Sequence, residues 1–110
     1  MQGLSYADVA DQLLALEAEL RRIDLWQAVP PPDEALDSVM PFAVDTLTFP
    51  QWLQFIFLVR MRALVEAGAP LPVISGIAPM AEEHFRLNPA HGAGVVRIIT
   101  RIDAALAPPP

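Results

Sequence analysis

The chain of 110 residues is 54% hydrophobic and 18% charged, with a formal net charge of −6 and no cysteine. That length suits one domain, the apolar fraction excludes disorder, and the missing thiols exclude a disulfide scaffold, a thiolate nucleophile and cysteine-held zinc or iron–sulfur. All seven basic residues are Arg, set against thirteen acids, a balance that argues against indiscriminate binding to nucleic acid or to an anionic membrane.

Ser5 followed by Asp8 makes a serviceable helix start, a hydroxyl for the orphan amides and an acid near the positive helix end. Val9, Leu13, Leu16, Leu20 and Ile23 then recur at helical spacing, with Glu17 and Arg21 paired on another face. This predicts a first helix over residues 6–26, stopped by Val29-Pro30-Pro31-Pro32, an extended strut that cannot continue a helix. A long connection, 33–47, follows, with one helical turn expected at Asp33–Ser38. Its apolar residues Val39, Met40, Phe42, Val44 and Leu47 are expected to lie across the helices and pack.

Thr48-Phe49-Pro50-Gln51 has the form of a capping box, with Pro50 in the first turn where its missing N–H is harmless. From Trp52 to Ala67 apolar residues cover nearly the whole circumference, so the second helix is expected at the centre of the domain, ended by Gly68. Ser75 and Pro79 open a short third helix reaching about Leu87. Asn88-Pro89 opens the fourth, whose stripe is Val95, Ile98, Ile99, Ile102 and Leu106, with Arg97 and Arg101 beside it. No alternating run survives. The expectation is an all-α, small four-helix bundle with a central hydrophobic second helix and a long helix 1–2 connection. One domain covers residues 1–107, and 108–110 form a disordered Pro tail.

The first basic residue, Arg21, follows Asp8 and Asp11, so no signal peptide is expected, and no charge-free stretch reaches the roughly 18 residues of a membrane span. The expected location is the cytoplasm. Residues 1–49 hold nine acids and two Arg, whereas residues 50–110 hold four acids and five Arg. The acidic half is either a solvated face or a surface that orients a partner.

Catalytic and metal constellations are not expected. His84 and His91 fall on either side of the Asn88-Pro89 break, and Glu83 diverges from His84 on a helix. His91-Gly92-Ala93-Gly94 lacks the strand and the Lys of a phosphate cradle. Ser5, Ser38 and Ser75 sit at caps or turns with local roles. No cofactor is implied. The polar residues of interest are Asp45, Gln54 and Arg60, since Arg60 falls inside the most hydrophobic helix. One reading pairs it with Asp45 to anchor the connection; the other makes the three the lining of a pocket in which Arg60 holds an anion. Trp26 and Trp52 read as core or helix-junction anchors, with a partner hot spot as the alternative.

Pro41-Phe42, Asp45-Thr46, Trp52-Leu53-Gln54, Arg60-Met61, Leu71-Pro72 and Ile77-Ala78-Pro79, in this order and spacing, resemble the YqcC-like family of small bacterial proteins. Leu16-Glu17 and Trp26 also fit, and the likeness spans about residues 8 to 106. It departs at Met80, where an aromatic is expected, and at Gly92 and Gly94, which are expected to loosen the start of helix four. The resemblance implies a bundle of four main helices but no activity. Family members are typically encoded beside, and sometimes fused to, a TruC-type tRNA pseudouridine synthase, which implies an accessory role in tRNA modification.

The function expected is therefore a non-catalytic interaction module, an accessory of that synthase, with Trp26, Phe42 and Trp52 as candidate anchors and a homodimer as another possible association. The alternative is a small-ligand-binding protein or enzyme with a pocket between the 33–47 connection and helix two. Direct tRNA binding has only Arg97 and Arg101 in its favour.

Overall fold

The computed structural model describes residues 6–74 and 76–107. Among them the regular elements are all helical: α1 (Tyr6–Arg22), α2 (Asp33–Leu36), a 3-10 turn (Pro41–Ala43), α3 (Phe49–Trp52), a π turn (Leu53–Phe57), α4 (Leu58–Ala67), α5 (Ile77–His84) and α6 (Pro89–Leu106). None of these helices is long and apolar enough to cross a membrane. Ser5, Ser75 and the Pro108–Pro110 tail, each assigned a role above, lie outside the described residues.

The stripe of α1 is buried as its spacing requires, from Val9 through Ile23. The helix stops at Arg22, however, and not at the prolines. Asp24 takes a left-handed conformation (φ 63°), and the Leu25 N–H reaches back to the Leu20 carbonyl at 2.9 Å. This is a Schellman-type ending with an Asp in the place usually held by Gly; the short polar side chain tolerates the left-handed region.

The Thr48 capping box forms as expected. The Thr48 hydroxyl accepts the Gln51 N–H, and the Gln51 side chain accepts the Thr48 N–H at 2.9 Å. From there α3, the π turn and α4 run as one rod to Gly68, whose φ of 63° gives the left-handed cap. Leu53, Gln54, Phe57, Leu58 and Met61 face the core, but Val59 and Arg60 are exposed. The second helix is thus not enclosed on every side, and α6 is the element packed against both α1 and α5. The apolar circumference of the second helix leaves a surplus at the surface.

The opening of α5 is capped from a distance. Gly76 is left-handed, and the Asp103 carboxylate of α6 accepts the Ile77 and Ala78 N–H groups at 3.2 and 2.7 Å. At the start of α6, Asn88 occupies the N-cap position without a side-chain cap bond. Its two glycines tighten the packing and do not loosen it. A Cβ on Gly92 would fall 2.0 Å from the Phe85 ring, and one on Gly94 would fall 2.3 Å from the Glu19 carboxylate. The glycines therefore let the α5–α6 turn and α1 close onto α6.

The 33–47 connection packs only in part. Ala43 and Leu47 are buried and Phe42 is half-buried, whereas Val39 is 97% exposed and Met40 and Val44 also face solvent. Between them the backbone is left-handed at Phe42 and Ala43, with φ of 56° and 49°.

Thr48→Ala is expected to lower stability by about 1 kcal/mol, measured as a shift in the urea midpoint at constant m-value. Gly92→Ala should also destabilise, by roughly 1–3 kcal/mol, because displacing a packed ring outweighs the roughly 1 kcal/mol gained in helix propensity. A stabilised Gly92→Ala protein would show that Phe85 moves freely.

Candidate functional site

The connection folds into a strap held by its own small polar residues. The Ser38 hydroxyl donates to Asp45 Oδ1 at 2.5 Å and accepts the Met40 N–H at 3.1 Å. The chain from Ser38 to Asp45 is thereby closed into a loop, while the Thr46 hydroxyl ties the base of the strap to the Ala35 carbonyl at 2.7 Å. Inside the strap the Ala43 N–H bonds the Met40 carbonyl at 2.9 Å across Pro41-Phe42. Non-Gly residues held left-handed cost on the order of 1–3 kcal/mol each and persist only where surrounding contacts over-determine them. Here those contacts are aromatic: Phe42 meets Trp52 edge-on at 4.9 Å, and Trp52 stacks with Phe57 at 5.4 Å and with Phe49 at 6.2 Å.

Opposite the strap, the π turn is closed by the Leu58 N–H bonding the Leu53 carbonyl, five residues back. A wider turn keeps residues four apart nearer one line than 3.6 residues per turn allows. Trp52, Ile56 and Arg60 consequently line one edge of a notch of about 340 Å³, with Ser38, Met40 and Phe42 among the residues of the other edge. The notch is of mixed character, its aromatic and aliphatic side chains sharing the lining with polar surface, Ser38 and the Arg60 cation. Arg60 has no hydrogen bond or ion pair among the described residues.

The expected Asp45–Arg60 pair does not form. Both residues are exposed, Asp45 is engaged by Ser38, and a solvated guanidinium gains little from a distant carboxylate. Gln54 does not line the notch either. It is the buried polar side chain of the core, and it clamps a backbone: its Oε1 accepts the Gln27 N–H at 2.9 Å and its Nε2 donates to the Gln27 carbonyl at 2.8 Å. Of the three polar candidates, only Arg60 reaches the notch. Of the three anchors, Phe42 and Trp52 line it, whereas half-buried Trp26 lies under the Arg21 guanidinium, 4.6 Å from its ring centre. Met40, expected from sequence to pack across the helices, is exposed at the notch instead, and neither Ile56 nor the left-handed turn was a sequence candidate. The Pro41-Phe42 dipeptide was the only signal for that turn.

Groups with displaced pKa values lie outside the notch lining. Glu17 is held below the usual carboxylate range chiefly by its hydrogen bond from Arg62 of α4, with Arg21 adding to the effect. Glu19 is lowered chiefly by its bond from Arg22. Desolvation pulls the His84 imidazole below its ordinary value where it meets the Phe49 and Phe85 rings. Among the described residues, no cluster of His, Asp and Glu could hold a metal ion. A second concavity, about 370 Å³, lies between α5 and α6 over Phe85 and Val96, and one of its two arginines, Arg86, is already paired with Glu83.

Gln54→Leu leaves the Gln27 N–H and carbonyl unpaired at a half-buried crossing. The expected loss is about 2 kcal/mol or more in urea denaturation, and a change below about 0.5 kcal/mol would mean that water replaces the clamp.

The family model DUF446, described as tRNA pseudouridine synthase C, matches residues 8–105. The chain is 32% identical over 96 residues to the uncharacterized protein YqcC of Escherichia coli strain K12, covering 87% of this chain and 88% of that one. It is 43% identical over 71 residues to an uncharacterized protein of Haemophilus influenzae, covering 64% and 67%. A third relative, the tRNA pseudouridine synthase C of Pectobacterium carotovorum, is 44% identical over 64 residues, 58% of this chain but only 17% of that protein. The solution NMR structure of E. coli YqcC matches with a TM-score of 0.80 at 31% identity, covering 93% of this chain and 87% of that chain.

Proposed function

This chain belongs to the YqcC-like family, and from that premise we propose that it is a non-catalytic docking module for a tRNA pseudouridine synthase, acting in the cytoplasm. The observation that carries this reading is the strap notch, where exposed Met40 and the half-buried Phe42, Trp52 and Ile56 bring apolar side chains to a lining shared with Ser38 and Arg60. Exposed apolar surface of this kind marks an interface more often than a reaction centre. The Pectobacterium relative supports the choice of partner, because a protein named tRNA pseudouridine synthase C there contains a stretch resembling this chain. In the proposed role, residues 1–107 form one four-helix bundle that serves as the scaffold, and the strap is its contact element. Phe42 and Trp52 are the anchors of the contact, and Asp45 and Gln54 hold the surface in shape from behind.

The unpaired Arg60 favours a second reading, a small anionic ligand seated in the notch. It is the weaker one, since Asp45 and Gln54 are engaged elsewhere and bring no further polar group to the lining. A second copy of the chain is a third occupant to be separated by experiment.

The test is titration calorimetry of the purified protein into the purified, ribonuclease-treated synthase of the same genome. A saturable one-to-one heat is expected. Met40→Ser combined with Arg60→Ala, both exposed positions, should weaken it about tenfold or more, a loss of roughly 1.4 kcal/mol. No heat at micromolar concentration, or a synthase that binds only with RNA present, would overturn the reading. Sedimentation of the protein alone checks the rival occupant: a notch-dependent dimer would replace the synthase as the partner.

A further inference from the structure

Along the helix-two edge of the notch the side chains change from aromatic to aliphatic to cationic. Trp52 comes first, Ile56 follows four residues later and Arg60 four beyond that, and all three belong to the lining. Helical side chains lean toward the N-terminus, so the Arg60 stem is directed back over the turn that carries Ile56. Arg21, Arg22, Arg62 and Arg86 each meet a glutamate of this chain. Arg60 is exposed and has no such partner among the described residues, and no acid belongs to the lining of its notch. The hydrogen-bond donors around it are spent inside the strap. The Ser38 hydroxyl gives its proton to Asp45 and accepts the Met40 N–H, and the Ala43 and Val44 N–H groups bond the Met40 and Pro41 carbonyls. A free anion in the notch would hold Arg60 and little else, with the Asp45 carboxylate one hydrogen bond behind Ser38 to repel it. A carboxylate joined to an apolar group needs only that one polar contact, because Met40, Phe42 and Trp52 hold the rest of the segment.

We propose that the segment docked in the notch is a helix of the protein partner carrying an aliphatic or aromatic side chain and, one turn away, an Asp or Glu: the apolar side chain enters between Met40 and Trp52, and the carboxylate meets the Arg60 guanidinium. This rests on the docking role assigned above and names the chemistry of what docks. Residues three or four apart on a helix are neighbours, so such a partner repeats the one-turn step that separates Ile56 from Arg60. A guanidinium offers a planar fork that fits a carboxylate with two parallel hydrogen bonds. At an exposed rim the pair adds little affinity and acts chiefly on register and choice of partner, since a like charge brought there is rejected.

Binding of the purified, ribonuclease-treated synthase of the same genome is measured by titration calorimetry in about 100 mM NaCl, for wild type and for single variants. Arg60→Met keeps an apolar stem without the charge and should weaken binding about three- to fivefold. Arg60→Glu sets like charges face to face and should weaken it about thirtyfold or more, whereas Arg60→Lys should stay within about threefold of wild type. Arg22→Gln, on α1 and outside the notch lining, should match wild type within about twofold, which separates the local contact from net charge. Urea midpoints of the Arg60 variants should coincide with wild type, the position being exposed, so that a loss reports the contact and not the fold. The Arg60→Glu protein is then titrated with synthase variants carrying single Asp→Lys or Glu→Lys changes on exposed helices. One such change, three or four positions from an apolar residue, is expected to restore binding to within about fivefold of wild type. Equal affinities for wild type, Arg60→Met and Arg60→Glu, with binding still weakened by Met40→Ser, overturn the carboxylate and leave the docking role intact. Failure of every charge swap to restore binding does the same. Absence of wild-type binding overturns both, and a saturable heat from millimolar inorganic phosphate alone, abolished by Arg60→Met, overturns the helix in favour of a free anion.

Discussion

The clamp between Gln54 and Gln27 decides where the chain crosses itself. One buried primary amide satisfies both backbone groups of Gln27, as a neighbouring strand would, and Gln51 adds a bond to the Gln27 side chain at 3.3 Å. Everything between helix one and helix two hangs from that crossing. It sets the start of the proline strut, and the strut delivers the strap to the outer edge of helix two. A buried amide with its partners in place specifies one crossing point, because any slip would strand polar groups away from water.

The strap is then held at its two ends by different forces. Small hydroxyls, Ser38 and Thr46, close the backbone, and the Trp52 ring holds Phe42 from within. Between them the chain tolerates two consecutive left-handed residues without glycine. The consequence is a division of side chains: Ala43 and Leu47 go into the core, and Val39, Met40 and Val44 go outward. A relaxed loop of the same composition would bury more of its apolar residues. The strained residues and the exposed apolar ones thus belong to the same short segment.

The remainder of the molecule behaves as a rigid support. The α6 helix is joined to α5 through Asp103, to the 69–76 link through the Ile74 N–H on the Leu106 carbonyl at 2.9 Å, and to α1 by close approach at Gly94. Glu17 connects α1 to Arg62 of α4, and the Tyr6 hydroxyl reaches the Ala69 carbonyl at 2.6 Å. None of these tie residues lines the notch.

Local chemistry written into the amino-acid order determined the helical character of the chain, the α1 and α6 stripes, the Thr48 box and the Gly68 cap. Each depends on residues within one or two turns of each other, where spacing alone carries the physics. The family resemblance was likewise carried by short ordered motifs. The partners of Asp45 and Arg60 were not legible, because a charge chooses its partner by distance in space, and Ser38 proved nearer to Asp45 than any guanidinium. The same holds for Gln54, whose partner lies twenty-seven residues away, and for Gly92 and Gly94, whose closeness to Phe85 and Glu19 exists only after packing. The early end of α1, the π turn and the left-handed Phe42 also belong to the tertiary structure, which decided them by trading local backbone preference against burial of the aromatic and aliphatic core.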